Sequence, residues 1–356
     1  MEKKRLAGKA YFGEITKNLI HNIPSGAIVI LKHEDIDIVA AEDLVRKKVK
    51  AVINTKTSVT GNLPRTGVLY LLQHGIPVFD LINNEKTFLK QEIEIFVGSK
   101  VLLEKETGKG WKLIGEVKEY TERDLQEKIK QGQEKFSNLY SQFAINSFNY
   151  AKEEMNIFLQ AIENLPSYWE LTGKQVFVIA RGEGVARDIR LIRPILTNPQ
   201  AKVIAVDGAA SLLFQSNVKP DYIIGDMDSI PDNIVKYRSR FISHSYMDGR
   251  SPGRDRLRAL SVDSESIPFP GLSEDLAIML AFRSKAEHIY TMGCRASVTE
   301  LVEKGRKGMG STLLTRMYVG DRLSDLKGIN RLMTIGETPL FYGEKSYLGE
   351  YKIDES

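Results

Sequence analysis

From Gly173 onward the chain alternates short apolar runs with helical patterns, and this alternation constrains its fold more than any other feature. Gln175–Ala180 (QVFVIA), Lys202–Val206 (KVIAV), Asp221–Ile224, Phe241–Ser245 and His288–Met292 (HIYTM) read as strands, and Ile267–Phe269 as a short extended piece. Helical patterns fill Arg187–Leu196, Ala209–Gln215, Asp232–Arg238, Ser273–Phe282 and Val298–Lys304, while Asp248–Arg258 reads as a loop. A strand that is apolar throughout needs cover on both faces, and helices between such strands supply it. The expectation is a parallel sheet in an α/β core.

Two further regions precede that core. Residues 1–120 interleave β-branched runs (Ala27–Leu31, Ala51–Ile53, Val78–Leu81) with helical patterns at Ala41–Lys48 and Gly67–His74. Glu92–Leu103 and Trp111–Val117 then read as strands closing off a smaller N-terminal α/β domain. Residues 121–172 carry apolar positions three to four apart, which gives one long helix or two helices ended by Pro166. The expected organisation is 1–120, a helical connector 121–172, a core 173–334 and a polar tail 335–356.

Composition narrows the class. Lys+Arg 50 against Asp+Glu 46 leaves a net charge of +4, too small to imply nucleic acid. One cysteine, Cys294, excludes an intramolecular disulfide framework and a multi-cysteine zinc site. The longest apolar run, Leu276–Phe282, is far short of a membrane span, and the basic N-terminus lacks the apolar stretch of a signal peptide. These features give the expectation of a cytoplasmic protein.

In a doubly wound sheet, ligands sit beyond the carboxyl ends of the strands. The polar residues there are Arg181-Gly182-Glu183-Gly184, Asp207-Gly208, Gly225-Asp226-Met227-Asp228-Ser229 and Gly293-Cys294-Arg295. Asp226 and Asp228, one residue apart, point to one side on an extended backbone and can share Mg²⁺, with Asp207 from a neighbouring tip. The same residues also suit plainer roles: Ser229 with Asp232 forms a capping box, and Asp207-Gly208 an ordinary turn. Arg250, Arg254, Arg256 and Arg258 lie in a Gly/Pro-containing loop and, with Arg181, can grip phosphate oxygens.

VDGAASLL (206–213) followed by PDYIIGDMDS (220–229) resembles the catalytic core of thiamine pyrophosphokinases. The resemblance implies that Asp207, Asp226 and Asp228 hold Mg²⁺ and ATP phosphates while a pyrophosphoryl group moves to thiamine, with Gly208, Gly225 and Ser229 also binding the nucleotide. Asp275, in Ser273-Glu274-Asp275, is similar to that family's later acidic position, and equally suits the acidic first turn of a helix. The chain departs from the family at Phe269-Pro270-Gly271-Leu272, which replaces metal-binding side chains, and at Gly293–Val298. After Gly310 it is too short for the β-rich thiamine-binding domain.

A broader resemblance runs through DGRSPGRDRL (248–257), SEDLAIMLA (273–281) and Glu303–Leu332. Together with the order of the segments, it is similar to the SteA-like bacterial proteins linked to the cytokinetic ring and septation. It implies a core that binds a nucleotide or pyrophosphate ligand with Mg²⁺, and a cell-division partner. Members commonly end in a membrane segment, so without one the expectation is recruitment to the septum by that partner. Two alternatives stay open: an active pyrophosphokinase transferring from ATP to thiamine or another alcohol, and an interaction module in which the long helix and N-terminal domain form a homo-oligomer. Asn62–Gly67 through Gly75-Ile76-Pro77 resembles the swivelling phosphohistidine domains, but Thr66 stands at the histidine position. The N-terminal domain is therefore expected to be a scaffold or partner-binding unit.

Overall fold

The structure, a computed structural model, describes residues 6–82, 92–98, 100–106, 110–228, 230–231, 239–303 and 305–334. Its first part runs β1 (Leu6–Gly13), α1 (Thr16–Asn22), β2 (Ile28–Leu31), α2 (Ile38–Arg46), β3 (Ala51–Asn54), α3 (Gly67–Gln73) and β4 (Val78–Ile82). The strands β5 (Glu92–Val97), β6 (Val101–Glu106) and β7 (Gly110–Glu119) follow. They close into a barrel in the order β1-β2-β3-β4-β7-β6-β5. β1 to β4 are parallel, and the remaining pairings are antiparallel.

Strand chemistry explains the two halves. β2 and β3 are buried along their whole length, with Ile28, Ile30 and Ile53 inside the barrel and Val29, Leu31 and Val52 against the helices. β5 alternates instead, turning Ile93 and Ile95 inward and leaving Glu92 and Glu94 exposed.

The connector is a single helix, α4 (Glu122–Asn164), about 65 Å long at 1.5 Å per residue. Thr121 and Asp124 close its N-terminus in a capping box, and it stops where Leu165 turns extended ahead of Pro166.

The core contains β8 (Gln175–Ile179), α5 (Val185–Leu196), β9 (Ala201–Val206), α6 (Ala209–Gln215), β10 (Tyr222–Gly225), β11 (Arg240–Ser245), α7 (Pro252–Ala259) and β12 (Ser264–Pro268). After these come α8 (Ser273–Arg283), β13 (His288–Met292), α9 (Val298–Glu303), α10 (Gly310–Val319) and β14 (Leu323–Asp325). Its sheet is parallel throughout, in the order β12-β11-β10-β9-β8-β13-β14. Phe177, Ile179 and Val203 face α5, α6 and α7, while Val176, Val178 and Ile224 face α8, α10 and α4. The chain winds from β8 out to β12 and then returns beyond β8 to β13, so the direction of winding switches between those two strands. The α/β reading holds: a parallel-sheet core, a long helical connector and a smaller N-terminal α/β unit.

Two expectations change in detail. The expected loop 248–258 is helical from Pro252, because proline suits the first helical turn and Leu257 buries its side chain against the core. The expected helix at 232–238 and the tail 335–356 lie outside the described residues. Among the described residues, no helix is long and apolar enough to cross a membrane.

Candidate functional site

The acidic residues of the core sit on two tight turns. β9 ends at Val206, Asp207 follows with a left-handed φ of 47°, and Gly208 leads into α6. On the next strand, a Cβ on Gly225 would collide with the Asp207 carboxylate, so the missing side chain makes the room that carboxylate fills. Asp207 Oδ1 in turn accepts the Met227 amide at 3.2 Å. Asp226 and Asp228 lie on a turn rather than on extended backbone, as the sequence reading had them. Met227 has a φ of 63° and a wholly buried side chain, and the Asp228 amide donates to Asp226 Oδ1 at 3.1 Å. A buried Met between two exposed carboxylates anchors the turn and throws both acids outward.

Two residues of the segment 248–257 brace this turn. Arg256 donates to the Met227 carbonyl, and to the Ile230 carbonyl at 2.6 Å. Gly253 brings α7 so close that a Cβ there would lie 2.6 Å from the Asp226 carbonyl oxygen. Arg250 is exposed, paired with Asp248 at 2.7 Å and set over the Tyr246 ring, and neither Arg250 nor Arg254 lines the cleft described next.

Asp207, Gly208, Asp226 and Asp228 line one cleft of about 1010 Å³ between the sheet's carboxyl edge and the barrel. The barrel wall carries Thr16, Lys32, His33, Asp37 and Asp43, which follow the ends of β1 and β2 or belong to α2. Sequence reasoning missed these residues. The available signal was position alone: polar residues immediately after the apolar run of β2. Arg181 reaches the cleft but is bound to Asp43 of α2, and the Gly184 amide at the start of α5 donates to Glu42 at 3.0 Å. Burial pushes the Glu42 carboxyl up. An acidic pair from the barrel thus occupies the cationic corner at the winding switch.

Asp275 does not join the acidic set at the strand tips. Its carboxylate is fully buried, accepting the Thr312 hydroxyl at 2.6 Å and the Leu272 amide at 2.9 Å. Burial and the adjacent Glu274 push its carboxyl up to about 7. Glu274 lines the cleft instead, accepting the Arg295 amide at 2.8 Å. Ser229 lies outside the described residues. Cys294 is buried under the strand tips, where desolvation pushes its thiol up, and it does not line the cleft.

Two side chains on β11 complete the floor. His244 is held by the Phe269 carbonyl at 2.7 Å and Ser273 at 3.2 Å, and burial lowers its basicity. Ser245 is 4% exposed, and its buried hydroxyl has no hydrogen-bond partner among the described residues. Such a group favours a ligand or water that can complete it. Among the described residues, no three His, Cys, Asp or Glu side chains converge closely enough to hold a metal ion by themselves.

No curated protein matches the chain. A solved thiamin pyrophosphokinase from Geobacillus thermodenitrificans is similar at 14% identity, with a TM-score of 0.27, over 42% of this chain and 58% of that one. The chain thus spans less than two thirds of that structure's length. Residues 195–248, which carry Asp207, Gly208, Gly225, Asp226 and Asp228, match the model of the thiamin pyrophosphokinase catalytic domain.

Proposed function

We propose that the core binds a nucleotide or another pyrophosphate-bearing molecule, together with Mg²⁺, at the tips of β9 and β10. The observation that carries this reading is the joint placement of Asp207, Asp226 and Asp228 in one large cleft, within the stretch that matches the catalytic-domain model. Mg²⁺ retains waters and needs only one or two protein carboxylates beside substrate phosphate, so the absence of a three-ligand cluster among the described residues is compatible with it. Asp226 and Asp228 are exposed oxygen donors of the kind Mg²⁺ takes, and Asp207 is held in place by the gap at Gly225. Bound there, the ion would neutralise phosphate charge. The protein's part is to fix the carboxylates, offer the Ser245 hydroxyl and cover the ligand with the barrel wall.

The cellular side of the proposal rests on the sequence resemblance of 248–257, 273–281 and 303–332 to the SteA-like septation proteins. In it, the ligand-bound core regulates or assembles with a division partner that brings the chain to the septum, and the units 1–120, 121–172 and 173–334 act as cover, connector and ligand site. The second reading is turnover, with pyrophosphoryl transfer from ATP to thiamine or another alcohol. It is favoured by the polar barrel wall opposite the carboxylates. AMP release that depends on an added acceptor and is lost in Asp228→Asn separates turnover from binding alone. No AMP across a panel of alcohols excludes it.

A further inference from the structure

The barrel wall of the cleft holds a second chemical group. β1 and β2 run parallel with Gly13 opposite Leu31, so the residues just beyond their carboxyl ends emerge side by side. Thr16 follows β1 and His33 follows β2, and Thr16 Oγ1 lies 2.9 Å from His33 Nδ1. Asp37, four residues further on, places Oδ2 at 3.7 Å from His33 Nε2.

The parts are fixed independently of one another. Asn54 of β3 accepts the His33 amide at 3.0 Å and donates to the His33 carbonyl at 2.6 Å, clamping that backbone. Asp37 caps α2 by accepting the Ala40 amide at 2.8 Å. Thr16 and Asp37 are 8% and 4% exposed, and both line the cleft together with His33. A hydroxyl within hydrogen-bond reach of an imidazole, itself faced by a carboxylate, is the arrangement that activates a nucleophile.

We propose that Thr16, His33 and Asp37 form a nucleophilic triad, and that Thr16 accepts a phosphoryl group from a nucleoside triphosphate held at the opposite wall. The proposal rests on the nucleotide reading of the core for its donor, and on the barrel alone for its nucleophile. In the step, Thr16 Oγ1 bonds to the terminal phosphorus, and the bond from that phosphorus to the bridging oxygen breaks. The nucleoside diphosphate leaves with that electron pair. The hydroxyl proton passes to His33 Nδ1 and from there to water. Asp37 is a positioning residue that favours the imidazolium. The product is phosphothreonine at 16, a new charge inside the cleft beside Lys32.

The test has two arms on the full chain. In the first, incubation with MgATP or MgGTP is followed by peptide mass spectrometry, with nucleotide binding read separately by calorimetry. The expected result is one phosphoryl group on Thr16, retained in Thr16→Ser and lost in Thr16→Val. It forms about 100-fold or more slowly in His33→Asn, which keeps a hydrogen-bond acceptor but cannot take the proton. Asp37→Asn keeps a capping side chain and is expected to slow transfer about tenfold or more with nucleotide affinity unchanged.

In the second arm, a fluorophosphonate without nucleotide labels Thr16 with loss of fluoride, and His33→Asn suppresses the label. Nucleotide bound with no phosphate on Thr16 overturns the transfer and leaves the core reading standing. No nucleotide bound overturns the core reading and the donor with it. In that case fluorophosphonate labelling upholds the nucleophile, and its absence overturns the triad as well.

Discussion

Gly225 carries no side chain because the Asp207 carboxylate occupies the place where one would be. One missing side chain therefore makes room for another residue's charge, and through the Asp207–Met227 hydrogen bond it fixes the turn that presents Asp226 and Asp228. Gly225→Ala forces that carboxylate aside. It is expected to cost about 1–3 kcal/mol in stability, as overpacking does, and to weaken any ligand that uses the three acids. Chemical denaturation and ligand titration on the same variant check both effects. Asp226 and Asp228 were legible in the sequence as paired carboxylates after a strand. Their turn was not, because it depends on a left-handed Met227 backbone held by Arg256, 29 residues downstream. The role of Arg256 illustrates the same limit. An arginine in a Gly/Pro-rich stretch reads as a phosphate ligand, and nothing local in the sequence signals that it also donates to two backbone carbonyls.

At the scale of elements, the N-terminus of α8 carries the strongest electrostatic consequence. Asp275 accepts the Leu272 amide and the Thr312 hydroxyl while fully buried, and its carboxyl is pushed up to about 7 from an ordinary 3.8. A raised carboxyl favours the folded state below the unfolded value and loses that contribution as pH climbs through the folded one. Stability is therefore expected to fall between about pH 4 and pH 7, by on the order of 4 kcal/mol at 1.36 kcal/mol per unit. Asp275→Asn keeps both hydrogen-bond partners and should flatten this decline, measured as denaturation midpoints across that range. A variant as pH-dependent as the wild type would assign the decline to other groups.

The elements themselves were read to within a few residues wherever both faces are apolar, as in β8, β9, β10 and β13. β14 was not, since Leu323–Asp325 is three residues long and only half-buried at the sheet's edge. β1 was missed for a related reason: LAGKAYFG is mostly half-buried and owes its strand to pairing with β2 and β5, a long-range effect.

For the whole molecule, the informative feature is how the barrel meets the core. Asp43 binds Arg181, and Glu42 accepts the Gly184 amide with Arg187 at 3.5 Å, so two adjacent acids of α2 hold the corner where the sheet's winding switches. The cleft owes its second wall to this contact. Sequence reading placed the N-terminal α/β unit and the core separately but could not dock them, because charges 138 and 145 residues apart leave no local periodicity. Glu42→Gln with Asp43→Asn is expected to weaken the docking by about 1–3 kcal/mol and to speed hydrogen exchange at the Gly184 amide, with the barrel's own protection unchanged. Unchanged exchange at Gly184 would mean that other contacts hold the cleft closed.

The proposed phosphate-ligand site lies at the strand tips of the core. Isothermal calorimetry of the full chain with ATP, GTP and thiamine diphosphate, with and without Mg²⁺, tests it most directly. The expected result is Mg²⁺-dependent binding of at least one of these, weakened about tenfold or more in Asp226→Asn and Asp228→Asn. No binding of any of them, or binding indifferent to both substitutions, would contradict it.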